Sequence, residues 1–246
     1  MINNQILFIG LISLSGFFNW STTDTNCKNS IYLLDQVKTQ YDPNGNWDQS
    51  ALKIHIEEPR VGNPQRHTKL HLDNSQDYFE MERFREDGIV KRILNGDGTS
   101  EIFLNGESDL PKSTVDEYRL YVERSQGHKQ FYKLIYGLPM SLTDQVWQEI
   151  KPAETAEFEG KEVYRISLEL KDAMISQHWT LIVELETFKL LALEFNHPED
   201  PNGEEEIIKF EGAFEIDGIK LPRIRNWYIK GTNEYLGSDL IIKELK

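Results

Sequence analysis

Two short stretches carry residue types that hold metal ions. In "YDPNGNWDQ", Tyr41 to Gln49, Asp42, Asn44 and Asn46 alternate as the oxygen ligands of a calcium loop do. Such a loop needs Gly at its sixth position and a bidentate Glu at its twelfth. Counted from Asp42, those places hold Trp47 and Lys53. An indole cannot take the turn that Gly takes, and an ammonium repels the ion. A turn accounts for the same residues: Asp42 accepts from the backbone ahead, Pro43 sets φ, and Asn44 and Gly45 close a type I turn. The tetrapeptide recurs at Asp200 to Gly203, between two alternating apolar runs where a hairpin connection is expected. In "HTKLH", His67 and His71 have the spacing that binds zinc on a helix. The surrounding alternation predicts a strand instead, on which four residues span about 13 Å, so both imidazoles read as solvent-facing. No metal and no cofactor are expected.

Other catalytic signatures are missing. The sequence has no G-x-S-x-G elbow, P-loop or G-x-G-x-x-G, which removes the easily read hydrolase and nucleotide-binding classes. Its 41 acidic residues offer so many carboxylate pairs that no glycosidase dyad can be chosen without a cleft. Cys27 is the only cysteine, which excludes an internal disulfide and a cysteine zinc site. Asp24, Thr25 and Asn26 do not make a lipobox before it, so the thiol reads as free, with lipidation the alternative. A net charge of -14 and the lack of any run of Lys and Arg argue against a nucleic-acid partner.

The elements that must position any site follow from hydrophobic spacing. Residues 6–18, "ILFIGLISLSGFF", form an uncharged apolar run that is short for a membrane span and right for a secretory signal. The preceding "MINNQ" has no Lys or Arg, and a buried N-terminal strand is the alternative. Residues 1–23 are expected to be a signal peptide, cleaved after Ser21-Thr22-Thr23 or after Ser13-Leu14-Ser15, and residues 24–246 a single domain. Export to the periplasm or outer envelope follows, with membrane contact peripheral at most. "NSIYLLDQVKTQYD" reads as a helix capped by Asn29 or Ser30, with Ile31, Leu34 and Val37 on one face and Pro43 ending it.

Period-two alternation then runs to residue 105, as in Leu52, Ile54 and Ile56, with "NGDG" at Asn95 to Gly98 joining two strands. A helical insertion near 111–137 follows. Ser113 and Asp116 supply its cap, Val115, Tyr118 and Val122 one face, and Phe131, Leu134, Ile135 and Leu138 the helical spacing before the stop at Gly137 and Pro139. The remainder alternates again, through Ile166, Leu168 and Leu170, Trp179, Leu181 and Val183, and on to Ile242. The expected fold class is α+β, mostly β: a single large curved antiparallel sheet, an open half-barrel, with an N-terminal helix and the helical insertion.

Several strands are apolar on both faces. Ile182 opposes Trp179 and Leu181, while Leu191, Leu193 and Phe195 oppose Phe188 and Leu190. The helical insertion covers one side; a bound hydrophobe or further core covers the other. "RIRNWY" places Arg223, Arg225 and Trp227 on one side, suited to an acyl chain with an anionic head or to snorkelling.

"YDPNGNW", "KLIYGLPM", "GIKLPRIRNWY" and "YLGSD" together resemble an uncharacterised exported family best represented in Bacteroidetes, a domain of unknown function, from about Ser30 to the C-terminus. The resemblance implies a signal peptide and no known activity. More loosely, "EIDGIKLPRIRNW" and the curved sheet are similar to the periplasmic lipoprotein-carrier and lipoprotein-receptor fold, an unclosed barrel lined with aromatics and capped by helices. The resulting expectation is a non-enzymatic cell-envelope protein that binds a hydrophobic ligand, a lipid or lipidated chain, in the concave face. Tyr136, Trp179, Arg225 and Trp227 are its candidate ligand-binding residues. A carboxylate-dependent envelope hydrolase would instead show a cleft with two carboxylates, one with a raised pKa. A structural or interaction module would show a filled interior and a large exposed apolar patch.

Overall fold

The computed structural model describes residues 22–198 and 204–246. The apolar run at residues 6–18 and the second DPNG turn lie outside them. Helix α1 spans Thr22–Tyr41 and buries Leu33, Leu34, Val37 and Tyr41. Ile31, expected on that face, is 41% exposed. The helix begins ahead of Asn29 and Ser30, so neither is its cap. Ser30 sits mid-helix, its hydroxyl donating to the Lys151 carbonyl and accepting from the Ala153 amide.

The first DPNG turn follows as a turn. Gly45 N–H donates to the Asp42 carbonyl, and Gly45 takes φ 67°, where a side chain would strain the backbone. Both carboxylate oxygens of Asp42 are engaged, accepting from the Asn46 amide at 2.9 Å and the Trp47 amide at 2.8 Å. The side chain thereby starts the short 3-10 turn Trp47–Gln49 and fixes Trp47 in the core.

A meander comes next: β1 (Ala51–Glu57), β2 (His67–Asp73), β3 (Tyr78–Arg85), β4 (Gly88–Leu94) and β5 (Ser100–Leu104), each antiparallel to the one before. The insertion is two helices, α2 (Lys112–Tyr118) and α3 (Glu123–Tyr136). Two short strands, β6 (Trp147–Ile150) and β7 (Glu154–Phe158), precede a second meander. That meander is β8 (Lys161–Met174), β9 (Ser176–Glu184), β10 (Leu190–Asn196), β11 (Glu206–Ile216), β12 (Ile219–Ile229) and β13 (Glu234–Glu244). β13 returns to pair with β1, which fuses both meanders into one antiparallel sheet ordered β5-β4-β3-β2-β1-β13-β12-β11-β10-β9-β8-β6, with β7 also on β8. The sheet is not closed: β5 and β6 are its ends, and α2 and α3 carry the chain from one to the other. The expected class, a large open antiparallel sheet with an N-terminal helix and a helical insertion, is the observed one.

Strand alternation sets the two faces. Leu52, Ile54 and Ile56 of β1 join Leu70 and Leu72, Phe79 and Met81, and Ile166, Leu168 and Leu170 in one continuous core, which α1 and α3 cover. In β10 the alternation breaks. A bulge between Leu190 and Ala192 turns Leu190, Leu193 and Phe195 to the same core, where simple alternation had set Leu190 against the other two. Val163, Ile182, Ala192 and Ile207 form a separate cluster, packed by Phe158 and Tyr228, so side chains of the sheet itself bury one another on the second side of these strands.

The insertion differs in detail from its expected form. Pro111, not Ser113, occupies the N-cap of α2, where its missing N–H costs nothing. Arg119 in the left-handed region ends that helix, and Val122 is 49% exposed instead of sharing a face with Val115 and Tyr118. Gly137 does end α3, but at φ -84°, so no left-handed cap requires glycine. Close approach does: a Cβ there would stand 2.2 Å from Cζ2 of Trp47 and 2.5 Å from the Lys133 carbonyl. Gly137→Ala is therefore expected to lower stability by about 2 kcal/mol through overpacking, against the gain of up to about 1 kcal/mol that reduced chain entropy would bring. A urea midpoint equal to or above that of the parent contradicts the packing of Trp47 on Gly137.

Candidate functional site

The four expected ligand-binding residues are buried in the core in two groups, Trp179 with Trp227 and Arg225 with Tyr136. Trp179 meets Phe195 edge to face at 5.2 Å, and Phe195 stacks on Trp227 at 5.9 Å. Trp227 donates Nε1–H to Asp239 at 3.0 Å. Arg225, the second residue before Trp227 and so on the same face, lies over the Tyr136 ring at 4.1 Å. All four are buried, three of them with no measurable exposure. Protein atoms surround this array, and Arg225 has a structural duty: it donates to the carbonyls of Pro222, Ile135 and Tyr136. The last two belong to the final turn of α3, whose carbonyls lack intrahelical donors.

The array continues toward the β5 end of the sheet. Tyr136 tilts against Tyr132 at 5.2 Å, and Arg83 of β3 donates to the Tyr132 hydroxyl at 2.5 Å. Arg83 also faces Glu58, whose carboxylate accepts from Thr68 and pairs with Arg66. Beyond Arg83 the concave face opens into a cavity of about 310 Å³, lined by Arg83, Arg85, Arg92, Arg119, Arg124 and His128. Glu117 is the one carboxylate in that lining. Arg92 is 3% exposed and donates to the Tyr121 and Arg119 carbonyls and to Ser125, so it fastens the junction of α2 and α3 to β4.

On the other side of α2 lies a slot of about 340 Å³ of mixed lining, with Ile102, Phe103, Leu110, Val115, Leu120 and Val122 beside Ser100, Glu101 and Ser108. It adjoins a small apolar cluster of Val90, Ile102, Leu104 and Leu120, separate from the main core. α2 itself has no buried residue. The two cavities share it as a wall, with Glu117 and Tyr118 toward the arginines and Val115 toward the slot.

Sequence spacing alone did not bring the arginines to notice, because no two of the five are adjacent. A signal existed. Arg83 and Arg85 continue the inward alternation of Phe79 and Met81, and Arg92 stands between inward Val90 and Leu94. The β3–β4 register then sets Met81 opposite Arg92 and Arg83 opposite Val90.

Burial, with like charge from Arg92, Arg83, Arg124 and Arg85, pushes the His128 imidazole down to about 3. The unfolded chain takes that proton near 6.5. Protonation thus favours the unfolded chain: the stability owed to the neutral ring is whole above about 6.5 and is lost as pH falls from there toward 3. The C2 proton resonance of His128 is expected to show no titration between pH 5 and 8; a midpoint near 6.5 contradicts this placement.

His67 and His71 lie on β2, as the alternation predicted, but both are half-buried. His67 stacks on Phe84 at 4.4 Å and meets His55, while His71 packs on Tyr78. No group of three or more metal-ligating side chains is gathered among the described residues. The buried carboxylates each have donors: Asp42 two amides, Glu58 Thr68 and arginines, Glu194 Arg165 and Lys230, and Asp239 Arg60 and Trp227. Burial does raise Glu206, which stands at the start of β11 and lines neither cavity beside α2.

A family of unknown function, DUF6503, matches residues 13–244. The chain belongs to that family. No curated protein matches the DUF6503 chain significantly. Among solved structures, a DUF1329 family protein from Desulfovibrio piger aligns with a TM-score of 0.51 at 13% identity, covering 90% of this chain and 92% of that one. A LolA superfamily protein from Nitrosomonas europaea aligns with a TM-score of 0.49 at 10% identity, covering 88% and 93%. At such identities the likeness is one of fold. Among the described residues no helix is long and apolar enough to cross a membrane.

Proposed function

We propose that this DUF6503 chain is a non-enzymatic cell-envelope protein, exported by residues 1–23 and folded as one domain over 24–246, that binds a lipid or lipidated chain on the concave face of its sheet. The observation that carries the reading is the slot under α2, where Ile102, Phe103, Leu110, Val115, Leu120 and Val122 stand with Ser100, Glu101 and Ser108, beside a helix that buries none of its own residues and so holds its place weakly. The main core fills most of the concave face, with a smaller pocket of about 190 Å³ at Leu134, Val146 and Met174; at the β5 end a small detached cluster leaves more room. Concave apolar sites with a few placed polar groups are the usual architecture for small ligands, and the arginine cavity supplies the polar groups next door. Tyr136, Trp179, Arg225 and Trp227 enter the proposal as the packed floor beyond the slot, which an acyl chain reaches by displacing α3. The partner is a lipid or an acylated polypeptide and no nucleic acid: the basic groups gather around one half-open cavity in a chain of net charge -14, with no stripe for a phosphate backbone.

The test is extraction of the protein purified under non-denaturing conditions, with mass spectrometry of any bound lipid, and titration with a fluorescent fatty acid. Bound lipid or saturable fatty-acid binding is expected. Leu120→Trp, which fills the slot, should weaken that binding about tenfold or more while the variant still unfolds cooperatively. Repeated absence of lipid together with no fatty-acid binding overturns the reading.

A further inference from the structure

We infer that the arginine-lined cavity receives the phosphate group of an anionic amphiphile whose apolar part lies in the slot across α2, an inference that rests on the reading just proposed. Five guanidiniums and one imidazole converge on this cavity against a single carboxylate, in a chain whose net charge is -14. Of the five, Arg83 pairs with Glu58, whereas Arg85, Arg92, Arg119 and Arg124 have no carboxylate pair among the described residues. Outside the cavity Arg60, Arg66 and Arg165 each pair with a carboxylate, while Arg223 and Arg225 donate to carbonyls.

A buried cation without a counter-charge is costly, and Arg92 is the extreme case. It is almost wholly buried and satisfied only by neutral acceptors, the carbonyls of Arg119 and Tyr121 and the Ser125 hydroxyl. Those bonds pin its charge against the cavity. Burial and the neighbouring Arg124, Arg83 and Arg85 pull its guanidinium down to about 10, a sign of how little negative charge stands near.

Four unpaired guanidiniums, Arg92 buried and Arg85, Arg119 and Arg124 exposed around it, can serve more than one negative charge. A fatty-acid carboxylate brings one, while a phosphomonoester brings nearly two together with oxygens that suit forked guanidinium donors. Shape agrees with charge. The cavity of about 310 Å³ is at the small end of ligand pockets, enough for a head group and too small for a diacyl lipid. A slot of similar size, with Ile102, Phe103, Leu110, Val115 and Leu120 among its lining, lies immediately beyond α2.

Isothermal titration with three probes tests the assignment: dihexanoyl phosphatidic acid, dihexanoylglycerol and inorganic phosphate. Each is added to the parent and to the double variant Arg85→Ala/Arg124→Ala. Both of these arginines are exposed, so the double variant keeps the fold that Arg92→Met would risk by freeing the α2–α3 junction. The phosphatidic acid should bind about tenfold or more tightly than dihexanoylglycerol, and the double variant should lose about tenfold for the phosphatidic acid alone. Equal affinities for the two lipids, unchanged in the double variant, overturn the phosphate site and leave the slot standing. Arginine-dependent binding of inorganic phosphate with neither lipid bound supports the phosphate site, assigns it to the free anion and removes the lipid reading. No binding of any probe overturns both.

Discussion

Arg225→Ala is expected to lower the stability of the chain by about 4 kcal/mol, read as a fall in the urea midpoint at unchanged slope. The side chain has no measurable exposure and no carboxylate in contact; it is held by three carbonyls and the face of Tyr136. Burial lowers its pKa, which shows that the charge itself is a cost, so removing it relieves something. Two losses outweigh that relief. The final-turn carbonyls of α3 at Ile135 and Tyr136 lose their donor inside the core, at about 1–3 kcal/mol for each buried group left unsatisfied. Truncation also leaves a cavity beneath Tyr136. Arg225→Lys should recover only part of the loss, because a lysine has one point of donation and no plane to lie on the ring. A loss below about 1 kcal/mol for the alanine variant would show that the end of α3 does not depend on this cap.

Glu58→Gln should cost a comparable amount, about 3 kcal/mol, and for a different reason. Glu58 is 3% exposed and faces Arg83 at 3.4 Å and Arg66 at 3.5 Å, with Thr68 donating to its other oxygen. Removing its charge strands the buried Arg83 beside Arg66 on one side and the arginine cavity on the other, and breaking a buried pair from one side typically costs about 3–5 kcal/mol. Removing both members should cost less than removing Glu58 alone, so Glu58→Gln/Arg83→Met is expected to be more stable than Glu58→Gln. Simple additivity of the two substitutions contradicts the pairing.

Much of this architecture was legible in the chain. Leu52, Ile54 and Ile56 and Ile166, Leu168 and Leu170 alternate as half-buried strands do, the Asn95–Gly98 hairpin joins β4 to β5, and the stop after Tyr136 stands where Gly137 and Pro139 place it. Alternation says which side chains share a face; it does not say which strands are neighbours. The pairing of β1 with β13, which turns two meanders into one sheet, joins residues near opposite ends of the chain and leaves no local mark. β6 and β7 escaped notice because they are four and five residues long and mostly exposed, with only Ala156 and Phe158 of β7 alternating toward other residues.

The candidate site was legible in part. Trp179, Arg225 and Trp227 stood out as large or charged residues in alternating runs, and they are buried in the core, Trp179 and Trp227 joined through Phe195 and Arg225 set against Tyr136. The same reasoning applied to Arg83 and Arg92 would have found the basic cavity, but each lies in a different strand, and only the β3–β4 register brings them together. The role of Gly137 depends on Trp47, ninety residues away, and no spacing rule conveys a contact of that kind.

Binding beneath α2 is tested most directly by photolabelling with a fatty acid that carries a diazirine at the chain terminus, followed by peptide mapping. Saturable label is expected on peptides covering residues 100–122, which hold Ile102, Val115 and Leu120, and unlabelled fatty acid should compete it away. Label that does not saturate, or that falls on outward-facing positions of the sheet such as His67 and His71, would contradict a lipid site on the concave face.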